Sequence, residues 1–123
     1  MDSKTSITFE GDYIFVQVSG ENSYERSLDL WKNIAKACEN HQCFKILGVS
    51  NMKNPLKIID AYNHIEIAKE TGHIPYRHVA WVEMNPDAIQ SLDFIETVIS
   101  NRGLANVRIF SDETEARKWL LEQ

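Results

Sequence analysis

Ile7 to Phe9, a break at Glu10-Gly11-Asp12, and Tyr13 to Ser19 alternate apolar and polar positions with a period of two, which predicts a β-hairpin. In its second strand Ile14, Val16 and Val18 share one face, and Tyr13, Phe15 and Gln17 the other. The period then lengthens. Tyr24, Leu28, Trp31, Ile34 or Ala35, and Cys38 recur at helical spacing, while Glu25, Arg26, Asp29, Lys32, Lys36 and Glu39 take the opposite side. Asn22 and Glu25 have the form of a capping pair at the start of this helix, and Asn40-His41-Gln42 ends it. The run Phe44 to Val49 is too continuously apolar to keep one side in water, so it predicts a strand inside the sheet.

Ser50 to Asn54 reads as an exposed loop after that strand, and Asn54-Pro55 as a cap and first helical turn. Ile58, Ala61, Tyr62, Ile65 and Ala68 form the main stripe of the helix that follows, with Leu56, Ile59 and Ile67 widening it, and Thr71-Gly72 stops it. His78 to Glu83 is the next strand. Asn85-Pro86-Asp87 opens a third helix carrying Ala88, Leu92, Ile95 and Ile99, which Gly103 stops. Asn106 to Phe110 predicts a last strand, and Ser111-Asp112 caps a final helix docked by Ala116, Trp119 and Leu120. The order β-β-α-β-α-β-α-β-α predicts an α/β fold: a mixed, mostly parallel five-stranded sheet with about four helices, one domain over residues 1–123.

Composition agrees with one globular domain: 123 residues, 43% hydrophobic and 25% charged, enough chain to fold without a disulfide or metal. The net charge of −5 and the scattered lysines and arginines argue against a nucleic-acid partner. The polar start and the absence of a long apolar run predict no membrane span and a cytoplasmic protein. Cys38, His41 and Cys43 stand in the order C-x2-H-x-C, which lacks a fourth zinc ligand and crowds the three it has. Cys38 is expected as a small apolar residue on a helix face, both thiols as reduced, and no metal or cofactor is expected.

No nucleophile elbow, zinc-protease helix, phosphate loop or dinucleotide glycine pattern occurs, so an enzyme is not expected. His64, His73 and His78 lack sequence partners; His64 and Glu66 point to different sides of a helix. Loops at the carboxyl ends of central strands are where open α/β sheets place their sites. The candidate binding surface is therefore Ser50, Asn51, Met52, Lys53 and Asn54, continued by Leu56, Lys57, Ile59 and Tyr62. A helix N-terminus beside Lys53 and Lys57 attracts an anion, and the surplus apolar stripe offers a surface to a protein partner, a second copy or a lipid-like ligand.

With this element order, His78-Val79-Ala80-Trp81-Val82-Glu83 and Arg108-Ile109-Phe110-Ser111-Asp112-Glu113-Thr114-Glu115-Ala116-Arg117-Lys118-Trp119-Leu120 resemble the bacterial SpoIIAA-like family of STAS-type domains over nearly the whole chain. The resemblance implies a small regulatory or ligand-binding module, similar to anti-sigma-factor antagonists and to the cytoplasmic domains of anion transporters. Phosphorylated antagonists of that family carry an Asp-Ser-Ser-Gly-like phosphoacceptor at the start of the helix after the central strand. Here that place reads Met52-Lys53-Asn54-Pro55-Leu56, without the serine. Switching by phosphorylation is therefore not carried over. Ser50 is the nearest hydroxyl, and its expected fate at a strand end is a local bond to the backbone rather than phosphorylation. The expected function is a non-enzymatic regulatory module that binds a protein partner or itself through the helix from Pro55. The alternative is a carrier or sensor of a lipid-like or anionic small molecule.

Overall fold

The structure is a computed structural model that describes residues 4–20, 24–52, 78–85, 93, 97 and 106–123. Its elements are β1 (Lys4–Phe9), β2 (Ile14–Gly20), α1 (Tyr24–His41), β3 (Lys45–Met52), β4 (His78–Glu83), β5 (Asn106–Phe110) and α2 (Glu113–Leu121). The five strands form one sheet in the order β1-β2-β3-β4-β5. β1 runs antiparallel to β2 and every other neighbouring pair is parallel, so the sheet is mixed and mostly parallel with β3 at its centre. Two helices are present among the described residues, where the sequence predicts about four, and the described order is β-β-α-β-β-β-α. The helix expected from Pro55 lies outside the described residues, as does most of the one expected from Ala88 to Ile99. Asp93 and Thr97, within the latter, have helical backbone, and the Thr97 hydroxyl donates to the Asp93 carbonyl at 3.1 Å.

β4 and β5 have the predicted limits, whereas β1 and β3 are longer. Lys4, Thr5 and Ser6 join β1 although they carry no apolar alternation, because Ser19, Val18 and Gln17 of β2 stand opposite and supply a ladder. Ser50, Asn51 and Met52, expected in a loop, continue β3 for the same reason: Val18, Ser19 and Gly20 extend the neighbouring strand.

The sheet is covered differently on its two faces. On one, Leu30, Ile34 and Cys38 of α1 pack with Ile14, Val16, Val18, Ile46, Val79 and Trp81. The stripe that α1 buries is thus Leu30-Ile34-Cys38, flanked by half-buried Trp31 and Ala37; Leu28, expected in the buried stripe, is only half-buried. Arg26, in the first turn of α1, donates to the Lys4 carbonyl at 2.8 Å and the Ser19 carbonyl at 2.5 Å, which ties the helix to both strands of the hairpin. On the other face, Ala116 and Leu120 of α2 pack with Leu47, Ala80 and Val82, with Trp119 at the margin. Asp112 caps α2, its Oδ1 accepting from the Thr114 amide at 3.0 Å.

Cys38 is buried and both cysteines are free thiols. Among the described residues no helix is long and apolar enough to cross a membrane, and no three metal-ligating side chains converge.

Candidate functional site at the carboxyl ends of the central strands

Parallel pairing sets Gly48 opposite Trp81 and Ser50 opposite Glu83. Strand alternation turns all four toward α1, in step with Ile46 and Val79. Gly48 has no Cβ, and the Trp81 indole lies where one would project; a methyl group there would fall inside the ring. Trp31 of α1 lies against the indole, ring centroids 5.6 Å apart and tilted by 32°.

The indole is the first member of a directed chain. Trp81 Nε1–H donates to Ser50 Oγ at 2.9 Å, and the Ser50 hydroxyl donates to Glu83 Oε1 at 2.7 Å. The amide of Asn85 donates to Glu83 Oε2 at 2.9 Å. The Val82 carbonyl is also 3.4 Å from Ser50 Oγ, but a hydroxyl has one proton and the shorter, charge-assisted contact takes it. Ser50 is 1% exposed and Glu83 2%. A carboxylate this deep persists only when its oxygens are satisfied, and here each accepts a hydrogen bond. The Met84 amide donates to the Ser50 carbonyl at 2.8 Å. Together these bonds hold the end of β4 against β3.

Ser50 therefore differs from the sequence expectation in its partners. Instead of a local backbone bond it engages Trp81 and Glu83, 31 and 33 positions away. Asn51 follows it in β3, exposed and on the opposite face, and Met52 ends the strand. Lys53, Asn54, Leu56, Lys57, Ile59 and Tyr62 lie outside the described residues, as do His64 and His73. An open groove of about 690 Å³ runs over the same end of β1, β2 and β3, lined by Lys4, Thr5, Ser6, Gln17, Val18, Ser19, Val49, Ser50 and Asn51. His78 stands at the other end of β4, its Nδ1 3.0 Å from the Asn106 side-chain amide. Burial, and secondarily the charge of Lys45, hold His78 below the ordinary histidine value.

Gly48, Trp81 and Glu83 are members of the site that sequence patterning does not single out. A glycine inside an otherwise bulky apolar strand signals close approach by another group, and a glutamate ending a buried strand signals an internal partner. Neither signal names the other residue.

No protein-family model matches the sequence, and no curated protein sequence matches it. Among solved structures the chain is similar to an uncharacterized protein of the DUF3478 family with a SpoIIAA-like fold from Shewanella loihica PV-4. The likeness covers 96% of this chain and 93% of that one with a TM-score of 0.59, at 15% sequence identity. The chain therefore has a SpoIIAA-like fold, in agreement with the resemblance seen in its sequence.

Proposed function

We propose that this chain is a non-enzymatic, STAS-like regulatory module that signals through occupancy of a binding surface, without a phosphoserine at the end of its central strand. The observation that carries the reading is the state of Ser50. Its hydroxyl is buried, accepts from Trp81 and donates to Glu83, and so serves as an internal strut. A phosphate there would place roughly two negative charges against a buried carboxylate. The binding surface in this reading starts at exposed Asn51 and continues through Lys53, Asn54, Leu56, Lys57, Ile59 and Tyr62 to a protein partner.

The test combines two measurements on protein purified from its own cells. Intact mass should show no phosphate under several growth conditions. A partner co-purifying in fixed stoichiometry should be lost from the doubly substituted Ile59→Asp, Ile67→Asp protein while its circular dichroism stays unchanged. Phosphate mapped to Ser50, or partner binding indifferent to that substitution, would overturn the reading.

The groove of about 690 Å³ favours a second reading, a sensor of a small molecule. Its lining combines serine, threonine, glutamine, asparagine and lysine groups with the apolar surface of Val18, Val49 and the side-chain stems, which suits a small ligand with both an apolar and a polar or anionic part. Native mass spectrometry of the cell-purified chain should then show a retained mass, displaced when Asn51→Trp fills the groove. An empty chain rejects this second reading.

A further inference from the structure

We propose that the outer edge of β1 is a self-association surface, on which a second copy of this chain pairs its own β1 antiparallel so that two sheets become one continuous sheet. β1 stands at the end of the strand order, and among the described residues no strand pairs with its outer side. Edge strands that must stay unpaired are usually shortened, bulged, interrupted by proline or studded with charge. Of these devices β1 has only one charge, Lys4 at its first position: its six residues, Lys4-Thr5-Ser6-Ile7-Thr8-Phe9, pair one-to-one with β2 without a bulge or a proline. Lys4, Thr5, Ser6, Thr8 and Phe9 are exposed, and Phe9, at 40%, is one of the large apolar side chains left in solvent, stacked on His41 of α1 at 4.3 Å.

The inner ladder fixes which backbone groups face outward. The Glu10 amide donates to the Tyr13 carbonyl at 2.9 Å, so those two residues form a hydrogen-bonded pair of the antiparallel ladder. Alternation from that pair turns the backbone groups of Thr8, Ser6 and Lys4 toward β2 and those of Phe9, Ile7 and Thr5 outward.

A twofold axis at Ile7 makes this edge complementary to itself. Ile7 then faces Ile7 of the second copy, Thr5 faces Phe9, and the outward N–H and C=O groups of all three residues meet their counterparts. On the other face Ser6 meets Thr8, and Lys4 meets Glu10 with opposite charge. Centring the axis on Ser6 or Thr8 still sets outward groups against outward ones, but leaves Phe9 or Thr5, respectively, without an outward partner within β1 and parts Lys4 from Glu10. Centring it two residues away shortens the overlap and parts Lys4 from Glu10. Backbone chemistry and charge therefore select the same register and the same occupant.

Sedimentation at about 100 μM, a concentration that saturates an interface of micromolar affinity, tests it. The expected species has twice the 14.2 kDa mass of the chain. Lys4→Glu and Glu10→Lys should each weaken the dimer ~10-fold, since either reversal acts at both symmetric pairs, and the double exchange should restore it to within ~2-fold. Thr5→Pro removes an outward N–H that β2 does not use and should give a folded monomer. A wild-type monomer at this concentration, a dimer indifferent to the charge reversals, or a double exchange that does not restore association would overturn the proposal. The charge variants decide the matter even if Thr5→Pro does not fold. None of these substitutions touches Ser50 or the residues from Asn51 onward, so failure here leaves the partner-binding reading standing, and Glu10→Lys, which lies outside the groove lined by Lys4 and Thr5, keeps the test separate from the small-molecule reading as well.

Discussion

The two faces of the sheet use the same central strands to opposite ends. Toward α2, β3 and β4 present Leu47, Ala80 and Val82 to Ala116 and Leu120, a wholly apolar contact. Toward α1 the alternate residues are Gly48, Ser50, Trp81 and Glu83, in which one large ring fits over a missing side chain and three polar groups form a directed chain. Apolar contact has no direction, so the first face should accept replacements of similar volume. In the second, every donor is matched to one acceptor, and a replacement of similar shape leaves a buried group unpaired.

The contrast is sharpest at Gly48. Gly48→Ala forces the Trp81 indole from its site, and urea denaturation should show a loss of about 4 kcal/mol, comparable to deleting a buried aromatic; a loss below about 1 kcal/mol would show that the indole can be housed elsewhere. On the opposite face, Leu120→Ala should cost about 3 kcal/mol by leaving a cavity, whereas Leu120→Met should cost about 1 kcal/mol or less. Equal costs for those two would break the comparison from the apolar side. Glu83→Ala should cost about 2 kcal/mol, because Ser50 and Asn85 lose their acceptor, and Glu83→Gln should recover only part of it, since its nitrogen then faces Ser50 and turns the serine hydroxyl onto the more distant Val82 carbonyl at 3.4 Å. Full recovery by glutamine would mean that direction is unimportant there. Asp112→Ala, which removes only the cap of α2, should cost about 1 kcal/mol.

The smallest effect belongs to His78, away from both cores. Burial and Lys45 hold its folded-state pKa below the ordinary 6.5, so the unfolded chain binds this proton more readily than the folded one. The contribution is complete above about pH 6.5 and is lost as pH falls from there through the lower folded value. The neutral ring also lets Nδ1 accept from Asn106. Unfolding midpoints measured across that window should fall more steeply for the wild type than for His78→Gln; identical slopes would exclude His78 as the source.

Much of the fold is legible along the chain. The limits of β4 and β5, the cap at Asp112 and the alternation of Ile14, Val16 and Val18 follow from local periodicity and local hydrogen bonding, which a sequence displays directly. The ends of β1 and β3 do not, because Lys4 to Ser6 and Ser50 to Met52 are strand only by virtue of their neighbour in β2. α1 shows an intermediate case. Its helical period is plain, but Leu30 rather than Leu28 is buried, since the helix's rotation is set by what it packs against.

The candidate site divides the same way. The amino-acid order by itself determined that a central strand ends near Ser50, that Met52 to Leu56 contains no serine, and that a glycine and a tryptophan sit within the two inner strands. Only the tertiary structure decided that Ser50 is an internal strut, that Gly48 makes room for Trp81, and that Glu83 accepts the serine's hydrogen bond. The physical reason is register. These residues are more than thirty positions apart, and only the parallel pairing of β3 with β4 brings Gly48 to Trp81 and Ser50 to Glu83, a relation that no local periodicity encodes.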